Sequence, residues 1–162
     1  MSINAYKPHL LVLPEDDANR QIADGFVLDS NCNYRAIQVL RVAGGWLKVV
    51  DIFKSDYLHP MRQFPERRIV LLMDFDDKPE DRKSFVEREI PEDLKNRVFV
   101  LGVRSEPENL KKAIDKNYEA IGTALAKDCA ENKQDFWMHE LLKHNESELK
   151  RLIENVRPFL FK

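Results

Sequence analysis

The sequence predicts an α/β protein: a mostly parallel sheet of four strands, or slightly more, with helices on both faces in a Rossmann-like arrangement. Three observations carry this. Apolar runs without polar alternation recur four times, the pattern of strands buried on both faces. Each run is followed by apolar residues at helical spacing, and such strand-then-helix units build parallel sheets through right-handed crossovers. No internal repeat, low-complexity tract or Gly/Ser linker interrupts the 162 residues, so a single domain over 1–162 is expected. A chain of this length buries roughly two thirds of its unfolded surface and needs no metal or disulfide to fold.

The elements follow in order. HLLVL (9–13) reads as the first buried strand and stops at Pro14. In EDDANRQIADGFVLD, Ala18, Ile22, Ala23 and Phe26 share a helical face behind a first turn of acids, where the helix dipole favours them. RAIQVLRV (35–42) is the second strand, AGG a tight turn, and WLKVVDIFKSDYL a helix with Leu47, Val50 and Phe53 inward. Pro60 and Pro65 bound the connection to the third strand, RIVLLMDF (68–75). A helix over roughly 82–89 leads to the fourth, RVFVLGV (97–103). Beyond it, Leu110, Ala113, Ile114, Ile121 and Leu125 share one face of a single long helix within 107–132. Residues 137–156 continue helical with a break near Asn145, and the tail RPFLFK docks; this C-terminal extension (107–162) lies over the sheet, with Leu149, Leu152, Ile153 and Val156 as its inner face.

Composition narrows function little. Hydrophobic content of 43%, charged content of 33% and a formal charge of -2 suit a soluble protein and exclude neither nucleic acid nor a small ligand. Cys32 and Cys129 belong to no CxxC or CxxH pattern, so reduced thiols in a cytoplasmic protein are expected. The apolar run within residues 1–17 is too short for a signal peptide, and no segment has the ~18 apolar residues of a membrane span.

Chemistry is expected where the strands end, since parallel sheets bind ligands at their carboxyl edge. Acids stand there three times: Glu15-Asp16-Asp17, then Asp74-Phe75-Asp76-Asp77, then Glu106 and Glu108 behind GVRS. Asp74 and Asp76 are one residue apart, and in extended backbone both side chains point to one side, an arrangement suited to Mg²⁺ or Mn²⁺. Glu15 adds a third oxygen ligand or a general base. Asp16, Asp17 and Asp77 are explained as helix caps. Cations near the predicted strand ends, Arg41, Lys48, Lys78, Arg82 and Arg104, are candidates for phosphate contact, with surface solvation as the ordinary alternative for each. His139 and His144, five apart, do not share a helix face, and Trp46 reads as closing the core, with stacking on a base as the alternative. No tyrosine adjoins an acidic motif in sequence, which favours hydrolysis over covalent cleavage through a tyrosine.

The order LVLPED, RVAGG, LLMDFDD resembles the topoisomerase–primase (Toprim) domain, which has a glutamate after its first strand, a glycine turn after its second and DxD after its third. VLGVRSEPENLKK is similar to the matching stretch of Toprim domains in overcoming-lysogenization-defect nucleases. The resemblance covers about residues 8–112. It implies that Glu15 is catalytic, that Gly44 and Gly45 form the turn by which substrate approaches, and that Asp74 and Asp76 bind metal, with Glu106 or Glu108 as a further acidic position. It also implies a Mg²⁺-dependent, nuclease-type hydrolysis of nucleic-acid phosphodiesters by a short stand-alone form, alone or with a protein partner. Two other classes remain open: a receiver-like signalling module phosphorylated on Asp74, and a non-catalytic interaction protein whose acids only cap helices.

Overall fold

The computed structural model describes residues 3–162; of the N-terminal stretch read for a leader, Met1 and Ser2 lie outside the described residues. Four parallel strands, β1 (His9–Pro14), β2 (Ile37–Val39), β3 (Arg67–Leu72) and β4 (Val98–Leu101), form one sheet in the order β2-β1-β3-β4. The predicted α/β class is the observed one. Continuous apolar runs arise because alternate residues serve opposite faces. Leu10, Val12, Val70 and Phe99 enter one apolar cluster, while Leu11, Leu13, Ile69, Leu71, Val98 and Val100 enter the other.

Helices α1 (Asp17–Leu28), α5 (Pro107–Ile114), α6 (Tyr118–Glu131) and α7 (Glu146–Leu160) bring Ile22, Leu110, Ile121, Leu125, Leu149, Leu152 and Val156 to the first cluster. Helices α2 (Trp46–Ile52), α3 (Leu58–Gln63) and α4 (Pro79–Arg88) serve the second through Val49, Val50, Met61 and Val86. The C-terminal extension thus covers the sheet as expected. α1 and α6 meet backbone to backbone, because a Cβ on Gly25 or Gly122 would run into the main-chain oxygen of Glu119 or Ile22. Among the described residues, no helix is long and apolar enough to cross a membrane.

Several local expectations are corrected. The long helix over 107–132 is two helices, because Asp115 turns left-handed (φ 52°) and Asn117 caps a new start by accepting from the Ala120 N–H at 2.8 Å. The helix over 46–58 is α2, a wider turn over Phe53–Tyr57, and α3, which runs through Pro60 near its start. Leu47 is 49% exposed and Val49 takes its place inward. Residues 137–142 form turns rather than helix, and α7 continues past Pro158 to the buried Leu160. Phe161 then bridges to Cys32.

The open edge of β4 is closed by side chains of α7 and the turn before it. Glu148 accepts from the Val100 N–H at 2.8 Å, Arg151 donates to the Val98 carbonyl at 2.7 Å, and Asn145 both accepts from and donates to Gly102. The unpaired edge is thereby blocked as a template for another chain.

A candidate metal centre at the carboxyl end of the sheet

The chain leaves β1 toward β2 on one side and reaches β3 on the other, so the topological switch lies between β1 and β3. Their register is even: Pro14 pairs with Leu72, and the ladder runs one bond further as the Glu15 N–H donates to the Leu72 carbonyl at 2.8 Å. Glu15 therefore stands beside the start of the acidic loop after β3. Its Oε1 accepts from the Asp74 N–H at 2.9 Å, leaving Oε2 without a hydrogen bond among the described residues.

The glycine turn holds this corner from the other side. The Gly44 N–H donates to the Glu15 carbonyl at 2.8 Å, with Gly44 at φ 97° and Gly45 at φ 147°. Such angles suit glycine, which has no Cβ to strain them.

Asp16 is the N-cap of α1 as expected, accepting from the Asn19 N–H at 3.0 Å. That cap places it in the site as well. The Asn19 amide, buried at 1% exposure, donates from Nδ2 to Asp16 Oδ1 and to Asp74 Oδ1, each at 2.9 Å. Carboxylate oxygens of Glu15, Asp16 and Asp74 all lie within 4.8 Å of one another. Asn19 Oδ1 is buried without a partner. Turning the amide over would aim that oxygen at the two aspartates, an arrangement made favourable only by a cation or proton between them.

Burial and crowding raise the proton affinity of Asp74 and Glu15. Burial pushes the Asp74 carboxyl up to about 7, against the Asn19 hydrogen bond that lowers it and with the charges of Glu15, Asp16 and Glu106 adding to the rise. Burial likewise raises Glu15, opposed by the Asp74 N–H and the charge of Arg82 and reinforced by Asp16 and Asp76. Arg82 is the nearby cation. It donates to the Asp74 carbonyl at 2.9 Å, approaches Asp76 Oδ2 at 3.8 Å, and makes no hydrogen bond to the Glu15 or Asp74 carboxylates among the described residues. Its guanidinium lies 4.2 Å from the centre of the Trp46 ring, which also packs edge-on against Phe85 at 5.3 Å. Trp46 is thus half-buried, with Arg82 on its face.

The other sequence candidates sit further out. The same-side reading of Asp74 and Asp76 fails because the backbone is not extended: Asp76 and Asp77 are left-handed, at φ 50° and 62°. Asp76 is exposed and outside the close carboxylate group, although its charge reaches Glu15 and Glu106. Asp77 is not the cap of α4; Lys78 occupies that position and provides no side-chain hydrogen bond. Bonds from the Phe75, Asp76 and Asp77 N–H groups to Val103, Ser105 and Arg104 carbonyls join this loop to the one after β4. Glu106 and Glu108 thus stand at the exposed rim, where mutual repulsion raises the Glu106 carboxyl, with Asp76 and Asp77 adding to it. Arg41, Lys48, Lys78 and Arg104 are all exposed.

Neither histidine singled out belongs to the site. His144 bonds the Gly102 carbonyl at 2.8 Å and packs edge-on against Phe75, and His139 Nδ1 accepts from the Leu141 N–H. Two members were not legible as site residues. Asp16 was explained by its cap, and Asn19 gave only the weak signal of an asparagine on the apolar face of a helix behind an acid. Burial, and after it the charges of Glu108, Asp16 and Asp74, raise the Tyr118 phenol. The chain matches no protein-family model, and neither curated proteins nor solved structures give a match.

Proposed function

We propose that this is a Toprim-like, Mg²⁺- or Mn²⁺-binding domain that hydrolyses nucleic-acid phosphodiesters. The observation that carries the reading is the meeting of Glu15, Asp16 and Asp74 at the switch point of a parallel sheet, with no cationic side chain among the described residues bonded to the carboxylates of Glu15 or Asp74. The donor set is all oxygen, which suits a hard divalent cation, and turning the Asn19 amide over would bring its orphaned Oδ1 to the ion as a neutral oxygen.

Asp16 and Asp74 would hold the ion, with Glu15 as third ligand or as the base that takes the proton from the attacking water. A bound Mg²⁺ or Mn²⁺ supplies charge neutralisation at a phosphodiester oxygen. Glu15 is suited to the base role because its raised proton affinity brings it nearer neutrality while the Asp74 N–H keeps it oriented. Arg82, lodged on Trp46 beside the site, would meet a phosphate oxygen on the open side, and Lys48, Lys78 and Arg104 would carry the backbone further out. Glu106 and Glu108 would act as outer acids, and Gly44 and Gly45 leave the approach clear of side chains. A cytoplasmic location and a protein partner supplying further nucleic-acid contacts accompany this reading.

The test has two stages. Mg²⁺ or Mn²⁺ should raise the melting temperature of the wild-type protein and leave Asp74→Asn unmoved; 5′-labelled DNA and RNA oligonucleotides should then be cut only with the ion present. Absence of both responses removes the reading. The position of Asp74 behind β3, beside the acids that follow β1, also favours a receiver-like phosphoacceptor. Acetyl phosphate followed by intact-mass measurement separates the two, since only the phosphoacceptor gains a phosphoryl group.

A further inference from the structure

At the amino end of the sheet, Arg68 stands on β3 and Arg97 closes the helical turn Glu92–Arg97 that leads into β4. The two reach one corner: Arg97 bonds the carbonyl of Arg67, and Asn155, which accepts from Arg68, donates to the carbonyl of Asn96 at 3.2 Å.

Elsewhere arginines meet acids: Arg20 pairs with Asp17 and Asp24, Arg62 with Asp93, and Arg151 with Glu148. Arg68 and Arg97 have no carboxylate within 4.0 Å among the described residues. Their acceptors are neutral. Arg68 donates from Nε to Asn155 Oδ1 at 2.6 Å and from Nη1 to the Glu66 carbonyl at 2.7 Å, and it lies over the Phe159 ring. Arg97 donates from Nη1 to the Phe64 and Arg67 carbonyls at 3.1 and 2.9 Å. Those bonds anchor the two guanidiniums and leave Arg68 Nη2 and Arg97 Nε and Nη2 without an acceptor among the described residues. Burial, and after it the charge of Arg68, lower the proton affinity of Arg97, against the charges of Asp93 and Glu66, which raise it. Of the two nearby acids, Asp93 is taken by Arg62 and Glu66 keeps its carboxylate beyond ion-pair distance, while Arg67 donates to His9 Nε2 at 2.9 Å.

We propose that Arg68 and Arg97 form a binding site for a phosphate dianion, free or as the terminal group of a small phosphate monoester. Two half-buried guanidiniums at one corner offer their unused donors to the spread oxygens of a phosphate, which would also relieve their repulsion. The site is independent of the acidic mouth, which lies ~20 Å away at the far end of six-residue strands rising about 3.3 Å per residue.

Titrating ¹⁵N-labelled protein with inorganic phosphate, glycerol phosphate or acetate at constant ionic strength, while following the arginine Nε–H signals, tests this. The expected result is a saturable shift of the Arg68 and Arg97 signals by the phosphates, and affinity at least tenfold weaker in Arg97→Gln and in Arg68→Lys. Arg67→Gln should retain it. Tighter binding of glycerol phosphate than of inorganic phosphate would assign the monoester, and equal binding the free ion. A response that does not saturate, that acetate reproduces at the same concentration, or that survives unchanged in both variants overturns the proposal. Wild-type protein alone decides the first two of those outcomes, should either variant fail to fold.

Discussion

Two asparagine–carboxylate groups flank the sheet, one buried and one with half-buried acids, and they are built on opposite principles. Along the β4 edge, Asn145 is bonded on both sides to Gly102, and Glu148 divides its oxygens between the Val100 N–H and Arg151. Charge there is balanced. At the β1/β3 end, Asn19 bridges two aspartates, keeps one oxygen orphaned, and sits beside a third carboxylate that no cation among the described residues bonds. Uncompensated charge away from water is costly, so the two groups should respond in opposite ways to mutation, pH and added cation.

The largest expected effect breaks the satisfied group. Glu148→Ala strands the Val100 N–H and takes the carboxylate from Arg151, which keeps its bonds to the Lys95 and Val98 carbonyls, and should cost about 3 kcal/mol in urea unfolding. Light scattering should also show self-association through the uncovered β4 edge. A Glu148→Ala protein as stable as wild type would make the contrast meaningless.

Metal should complete the unsatisfied group. At a hundredfold excess over its dissociation constant, Mg²⁺ or Mn²⁺ should stabilise the protein by about 2.7 kcal/mol, and Glu15→Gln or Asp74→Asn should reduce that gain.

pH sharpens the same point. An aspartate at about 7 in the fold and near 3.8 unfolded binds more proton when folded, so it lowers stability as pH rises from about 4 to 7. Without metal, Asp74→Asn should therefore be more stable than wild type at pH 8, by about 1–2 kcal/mol after allowance for solvent screening, and the gain should fade below pH 4. With metal, which needs the ionised acid, the wild-type protein should gain more at pH 8 than at pH 5.

The smallest effect tests the turn behind Glu15. Gly44→Ala meets no steric contact, so its cost should come from φ 97° alone, about 1–2 kcal/mol by thermal melting. Metal affinity should fall with it if the turn positions Glu15.

How far the sequence could be read follows from what each pattern encodes. HLLVL and RVFVLGV identified β1 and β4 because burial on both faces leaves no polar alternation, and it made the parallel class legible from one dimension. Helix ends were harder. Asp115 and Asn132 are both left-handed C-caps, yet only the geometry distinguishes Asp115 from an ordinary surface residue in a continuous amphipathic pattern. Within the site, the spacing of Asp74 and Asp76 assumed extended backbone, whereas bonds to the loop after β4 hold Asp76 left-handed and turn it outward.

The sequence alone determined the sheet, its parallel sense and the placing of acids at strand ends, because hydrophobic period and helix-start chemistry are local properties of the chain. Tertiary structure decided which acids meet. Asp16 and Asn19 join Glu15 and Asp74 through a helix cap laid against a neighbouring strand, and Asp76 leaves. Such encounters depend on register and on loop conformations fixed by bonds between distant segments, which no local pattern records.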